Sequence, residues 1–162
     1  MEKKTTMKML IAIDNSEYAI KVVNYVASAV KPTVKITLFS VLPTMFSNLE
    51  KMEKDLQQPL FSEKVVELIW MVDEEKKKAK SKIEECRTIL RNAGFSDDTV
   101  EVKMQNKIVG IARDIIAEAG KGKYDTIVVG RRGLSATATF VLGSVSNKIV
   151  QNIKDCTVWI VE

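Results

Sequence analysis

Apolar residues in this chain alternate between short unbroken runs and longer stretches at helical spacing. Met9 to Ile13 is an unbroken apolar run and predicts a strand buried on both faces. Asp14-Asn15-Ser16 interrupts it, with Ser16 placed to cap a helix. Ala19, Val22, Val23, Val26, Ala27 and Val30 then recur at helical spacing until Pro32 stops them. Lys35 to Val41 predicts a second strand, ended by Pro43. From 43 to 72 the pattern weakens, with Pro59 and a loosely helical apolar set from Val65 to Met71. Asp73 to Ala93 is a clear amphipathic helix: Ala79, Ile83, Cys86, Leu90 and Ala93 share one face, and Gly94 suits its C-terminus.

The second half repeats the alternation. Thr99 to Met104 predicts a strand, and Ile108, Ile111, Ala112, Ile115, Ile116 and Ala119 predict a helix closed by Gly120. Thr126 to Val129 predicts a fourth strand, Ser144 to Ile153 a fourth helix, and Thr157 to Val161 a final strand. Strands alternating with helices imply a parallel sheet with right-handed crossovers and helices on both faces. The expected fold is a doubly wound α/β domain spanning 1–162 with a variable segment at about 43–72. Its five strands are expected in the order 3-2-1-4-5.

That order locates the chemistry. Ligands of open α/β sheets bind beyond the carboxyl ends of the strands where strand order reverses, here between strands one and four. Asp14 ends strand one and Gly130 ends strand four. From Val128 the chain reads VVGRRGLSATATFVLGSVSNKI, so two glycine clusters flank a loop and the second opens a helix. Glycines allow close backbone approach, and a helix N-terminus presents free amides, so the stretch suits an anion such as phosphate. The run is neither a P-loop nor a dinucleotide fingerprint. Simpler roles stay open: Asp14 as a helix cap, Gly130 and Gly133 as turn glycines, and Ser144 as an N-cap only. Arg131 and Arg132 are each placed either to pair with phosphate or to be solvated.

Composition narrows the chemistry. With no His, the chain lacks the commonest general base and metal ligand. The net charge of +4 is mild, and with 6% aromatic residues a nucleic-acid partner is not expected. Cys86 and Cys156 lie far apart in apolar-periodic segments and read as buried thiols in a reducing compartment. No apolar run approaches the ~20 residues of a membrane span, and no secretory leader is evident, so a cytoplasmic location is expected. The Lys76-Lys77-Lys78 run falls on a solvated helix face.

The spacing Gly130-x-x-Gly133-(nine residues)-Gly143-Ser144 resembles the ATP-binding motif of the universal stress protein family. Asp14 after strand one, Val41 at the end of strand two and Tyr124-Asp125 before strand four extend the resemblance over nearly the whole chain. It implies an adenine nucleotide alpha hydrolase-like fold and an ATP site, with Mg²⁺ carried largely by the phosphates. On the family pattern Asp14 meets the ribose and the Val41 backbone faces adenine. Gly130 and Gly133 approach ribose and phosphates, while Gly143, Ser144, Val145 and Ser146 form the phosphate-binding turn. Thr157, where many members have Pro, and Ser40, where many have His, depart from the pattern, as does the Gln105–Ile108 segment, which lacks the usual Gly and Pro.

The resemblance implies an ATP-binding regulatory protein whose occupancy biases conformation or assembly, with slow or no hydrolysis. Two other readings stay open: a slow ATPase or nucleotide-transfer enzyme, and a dimeric module that binds no nucleotide. A homodimer through the apolar strand Thr157–Val161 is expected, since an exposed sheet edge invites pairing. The 43–72 segment, with Phe46, Phe61, Trp70 and Met71, is placed to cover the crevice, to meet a partner or to pack on the sheet.

Overall fold

The computed structural model describes residues 6–42, 62–132 and 142–162, with the side chains of 62–66 excluded. Five strands form one parallel sheet: β1 (Lys8–Ala12), β2 (Lys35–Leu42), β3 (Val100–Asn106), β4 (Thr126–Gly130) and β5 (Thr157–Val161). Their order is β3-β2-β1-β4-β5, as the alternation predicted. Among the described residues four helices connect them: α1 (Glu17–Ala29), α2 (Ser62–Asn92), α3 (Ile111–Gly122) and α4 (Ser144–Asn152).

The parallel ladder sorts alternate strand residues to opposite faces. Met9, Ile11, Ile36, Leu38 and Val128 pack under Val22, Val23 and Val26 of α1 and Ile83, Cys86 and Leu90 of α2. Leu10, Phe39, Ile127 and Val129 pack under Ala112, Ile115 and Ala119 of α3 and Ile149 of α4. Met9, Leu10 and Ile11 are wholly buried because β1 is central and covered on both faces. Each such side chain contributes roughly 1.5–3 kcal/mol.

Several boundaries differ from the sequence expectation for local reasons. β1 ends at Ala12, although the Ile13 amide still donates to Phe39 O at 2.8 Å. Helix α2 begins at Ser62, eleven residues earlier than Asp73, because Val72 and Ala79 bury against Leu42 with Leu68 and Ile69 packed alongside. The rest of the expected variable segment, 43–61, lies outside the described residues. Ile108 is not helical; it sits in a loop whose amides are held by the Asp114 carboxylate, so α3 starts at Ile111.

The two helix ends also part ways. Gly94 ends α2 as expected, left-handed at φ +93°, with Phe95 N donating to Leu90 O and Gly94 N to Arg91 O. Helix α3 instead runs past Gly120, and its left-handed residue is Lys123 at φ 52°. Gly122 serves a different need, since a Cβ there would stand 2.1 Å from the Tyr124 ring. Cys86 is buried as expected, whereas Cys156 is only half-buried beside the edge strand. Burial pushes the Cys86 thiol up to about 12. Lys77 and Lys78 of the basic run are exposed and paired with Glu74 and Glu75.

Candidate functional site

The chain leaves β1 at Ala12 and must turn into α1 within a few residues. Asp14 makes that turn: its Oδ1 accepts from the Ser16 amide at 3.0 Å and from the Ser16 hydroxyl. Ser16 occupies the N-cap position with extended backbone, but its side chain makes no capping bond because the hydroxyl is turned to Asp14. The expected cap is therefore correct in position and wrong in chemistry.

The segment after β4 is closed by backbone bonds. Arg131 N donates to Val161 O at 2.6 Å, and Gly143 N donates to Arg131 O at 2.8 Å. The Ser146 hydroxyl, on a 4% exposed residue, donates to Gly130 O at 2.7 Å. The last two bonds fold the second glycine cluster back onto the end of β4, and the first extends the pairing of β4 with β5. Helix α4 then begins with Gly143 at its N-cap, and the Asn147 amide is the first to reach an intrahelical acceptor. The amides of Ser144, Val145 and Ser146 precede that ladder and have no intrahelical acceptor. No acidic residue stands in the first turn to offset their positive end of the dipole.

A cavity of about 330 Å³ opens between β1 and β4, where strand order reverses. Asp14, Val41, Gly130, Arg132, Gly143, Ser144, Val145 and Ser146 all line it. Its walls also include Ile13, Tyr18, Val22, Phe39, Ile111 and Ile115, an apolar surround for a flat ring. Its volume falls near the lower end of the range of about 300–1,000 Å³ usual for small-molecule sites. Gly130 has a steric reason to lack a side chain: a Cβ would sit 3.0 Å from Arg132 O and 3.5 Å from Val22 Cγ2.

One expected residue is not brought in. Arg131 does not line the cavity; its guanidinium pairs with the Glu162 carboxylate beyond β5. Gly133 lies outside the described residues. Conversely, Asn15 and Glu75 line the cavity and were not foreseen, with Asn15 Nδ2 donating to Glu75 Oε2 at 3.5 Å. At 31 residues, α2 is ~46 Å long against ~26 Å for β2, so it overhangs the sheet and carries Glu75 to the crevice. The only signal for this was the faint apolar set before Asp73. The cavity thus has a carboxylate side, Asp14 and Glu75, and a second side formed by Arg132 and the first turn of α4. Among the described residues no group of three metal-ligating side chains occurs.

A sequence model of the Universal stress protein family matches residues 5–162. The universal stress protein Sll1388 of Synechocystis sp. is 25% identical over 157 residues, covering 96% of this chain and 97% of its own. Among solved structures, the universal stress protein from Archaeoglobus fulgidus in complex with dAMP is similar with a TM-score of 0.63. It is 18% identical and covers 96% of this chain and 98% of its own. A universal stress protein in complex with cAMP gives a TM-score of 0.57 at 19% identity, with 96% of each chain covered.

Proposed function

The chain belongs to the universal stress protein family, and on that premise we propose that its cavity binds ATP and that occupancy regulates conformation or assembly. The observation that carries this reading is the convergence of the α4 amides, Gly130 and Asp14 on one apolar-walled cavity at the switch point. Adenine would lie against the apolar walls near the Val41 backbone, with the ribose toward Asp14. The phosphates would meet the amides of Ser144, Val145 and Ser146, the Ser144 hydroxyl and Arg132, with Gly133 completing the loop. The Ser146 hydroxyl hydrogen is already given to Gly130 O, so its part is to hold the turn in shape. Arg131 supports the same turn through Glu162 rather than by touching the ligand. The dAMP and cAMP complexes of the similar proteins support an adenine nucleotide as the ligand class.

A Mg²⁺ would be carried mainly on the phosphates, since the described residues offer no cluster of three ligands. Among the described residues the cavity's carboxylates are Asp14 and its neighbour across Asn15, Glu75. The sugar is assigned to them, so on this reading none of the described residues is a base at the phosphates and turnover is slow or nil. β5 is paired on one side only, with β4, and Ile160 is 39% exposed. An isologous dimer through that edge completes the reading. Isothermal titration with ATP, GTP and adenosine tests it, alongside phosphate release with Mg²⁺. Saturable ATP binding at one site per chain with release no faster than buffer is expected; no binding, or many turnovers per minute, overturns it.

A further inference from the structure

Two surfaces are complementary in charge and apolarity. The first is a groove of about 930 Å³ between α3 and α4. Lys107, Arg113 and Lys148 stand along it, and among the described residues no acidic one lines it. None of the three joins an ion pair among the described residues. The loop at its mouth is held rigidly: the Asp114 carboxylate, 4% exposed, accepts from the amides of Ile108 at 2.8 Å, Val109 at 3.1 Å and Gly110 at 3.4 Å. Yet the side chains so ordered are in water, Ile108 78% and Val109 62% exposed, beside exposed Ile111. A buried carboxylate that fixes two β-branched apolar residues in solvent is an expensive arrangement for a surface that meets nothing.

The second surface is a ridge on α2. Glu67, Trp70, Met71 and Glu74 share one face at helical spacing, with Asp73 beside them. Trp70 is 63% exposed and Met71 54%. Among the described residues Glu67 and Asp73 join no ion pair, and Glu74 meets only exposed Lys77. An apolar helix ridge edged with acids fits an apolar groove edged with bases, the helix-in-groove mode of recognition.

We propose that the α2 ridge of one copy of this chain docks into the α3–α4 groove of a second copy. Ridge and groove lie on opposite faces of the sheet. The contact is therefore heterologous: a docked pair keeps one free ridge and one free groove, and assembly extends or closes into a ring. It is separate from any β5 pairing, and Ile111, Ser144 and Val145 line both the groove and the cavity.

Sedimentation velocity of the full chain over a concentration series tests it, with a ridge variant (Glu67→Lys with Trp70→Ala) and a groove variant (Arg113→Glu with Lys148→Glu). The unaltered chain should grow beyond two copies as concentration rises. Each variant alone should stop at two copies or fewer, and an equal mixture should form a species larger than either variant gives alone, because the intact ridge of one fits the intact groove of the other. Far-UV circular dichroism and thermal melts check folding, with Arg113→Gln and Lys148→Gln as milder groove variants. A chain that stays at two copies or fewer throughout overturns the proposal. So does growth unaffected by the variants, or a mixture that sediments as the two variants do separately.

Discussion

Arg131 and Arg132 are neighbours in sequence with different surroundings, and replacing each by Ala separates a phosphate contact from a structural one. Arg132 lines the cavity, whereas the Arg131 guanidinium is paired with Glu162. A guanidinium ~4 Å from one phosphate charge at an effective dielectric near 20 gains about 4 kcal/mol. Arg132 is half-buried, so water and salt screen the contact and ordering the side chain opposes it. About 1–2 kcal/mol should survive. Arg132→Ala should then weaken ATP roughly 5- to 30-fold. Adenosine, which lacks the charge, should bind the variant and the unaltered chain alike. Arg131→Ala removes an exposed ion pair and should cost about 0–1 kcal/mol of stability, with ATP affinity changed by less than roughly threefold. Calorimetric titrations of ATP and adenosine into the three proteins at low and high salt read all of this, and the Arg132 effect should shrink as salt rises. Equal losses for the two variants, or an equal loss of adenosine in Arg132→Ala, would refute the reasoning.

Further outcomes follow from single contacts. In Gly130→Ala the new Cβ meets a backbone carbonyl 3.0 Å away that cannot swing aside, so a loss of about 1–3 kcal/mol in chemical denaturation is expected, together with weaker ATP binding. Unchanged values for both would show that the turn yields freely. Asp114→Ala strips the acceptor from three loop amides and should cost about 2–3 kcal/mol, with hydrogen exchange at Ile108 and Val109 accelerated. Cys156 should be alkylated in the native state, while wholly buried Cys86 reacts only on unfolding. The Cys86 pKa is raised on folding, so its contribution to stability is intact below the ordinary thiol value of 9.0 and is lost as pH rises toward about 12. Stability that rises with pH over that window, with Cys86→Ala as the control, would contradict this.

The strand order and the pairing of Asp14 with Gly130 were legible because apolar periodicity and crossover handedness leave few topologies for this alternation. The local chemistry was less so. Ser16 reads as a cap, but an Asp two residues before it competes for its hydroxyl, and the sequence does not say which bond wins. Gly120 and Gly122 both sit where a helix ends, yet the left-handed residue is Lys123 and Gly122 is small to admit the Tyr124 ring. Such a contact is set by packing and has no periodic signature. Glu75 was hidden because its place in the cavity depends on how far α2 overhangs the sheet. The fate of Arg131 depended on Glu162, thirty-one residues away, lying beside β4 in the ladder.

The central claim is that ATP phosphates sit on the first amides of α4, and Ser144→Asp tests it most directly. A carboxylate in that turn complements the helix dipole, so the variant should melt no lower than the unaltered chain. The same carboxylate repels phosphate, so calorimetry should show ATP affinity reduced at least about tenfold, equivalent to about 1.4 kcal/mol, with adenosine unaffected. A variant that keeps its stability and binds ATP as tightly as the unaltered chain would contradict the claim.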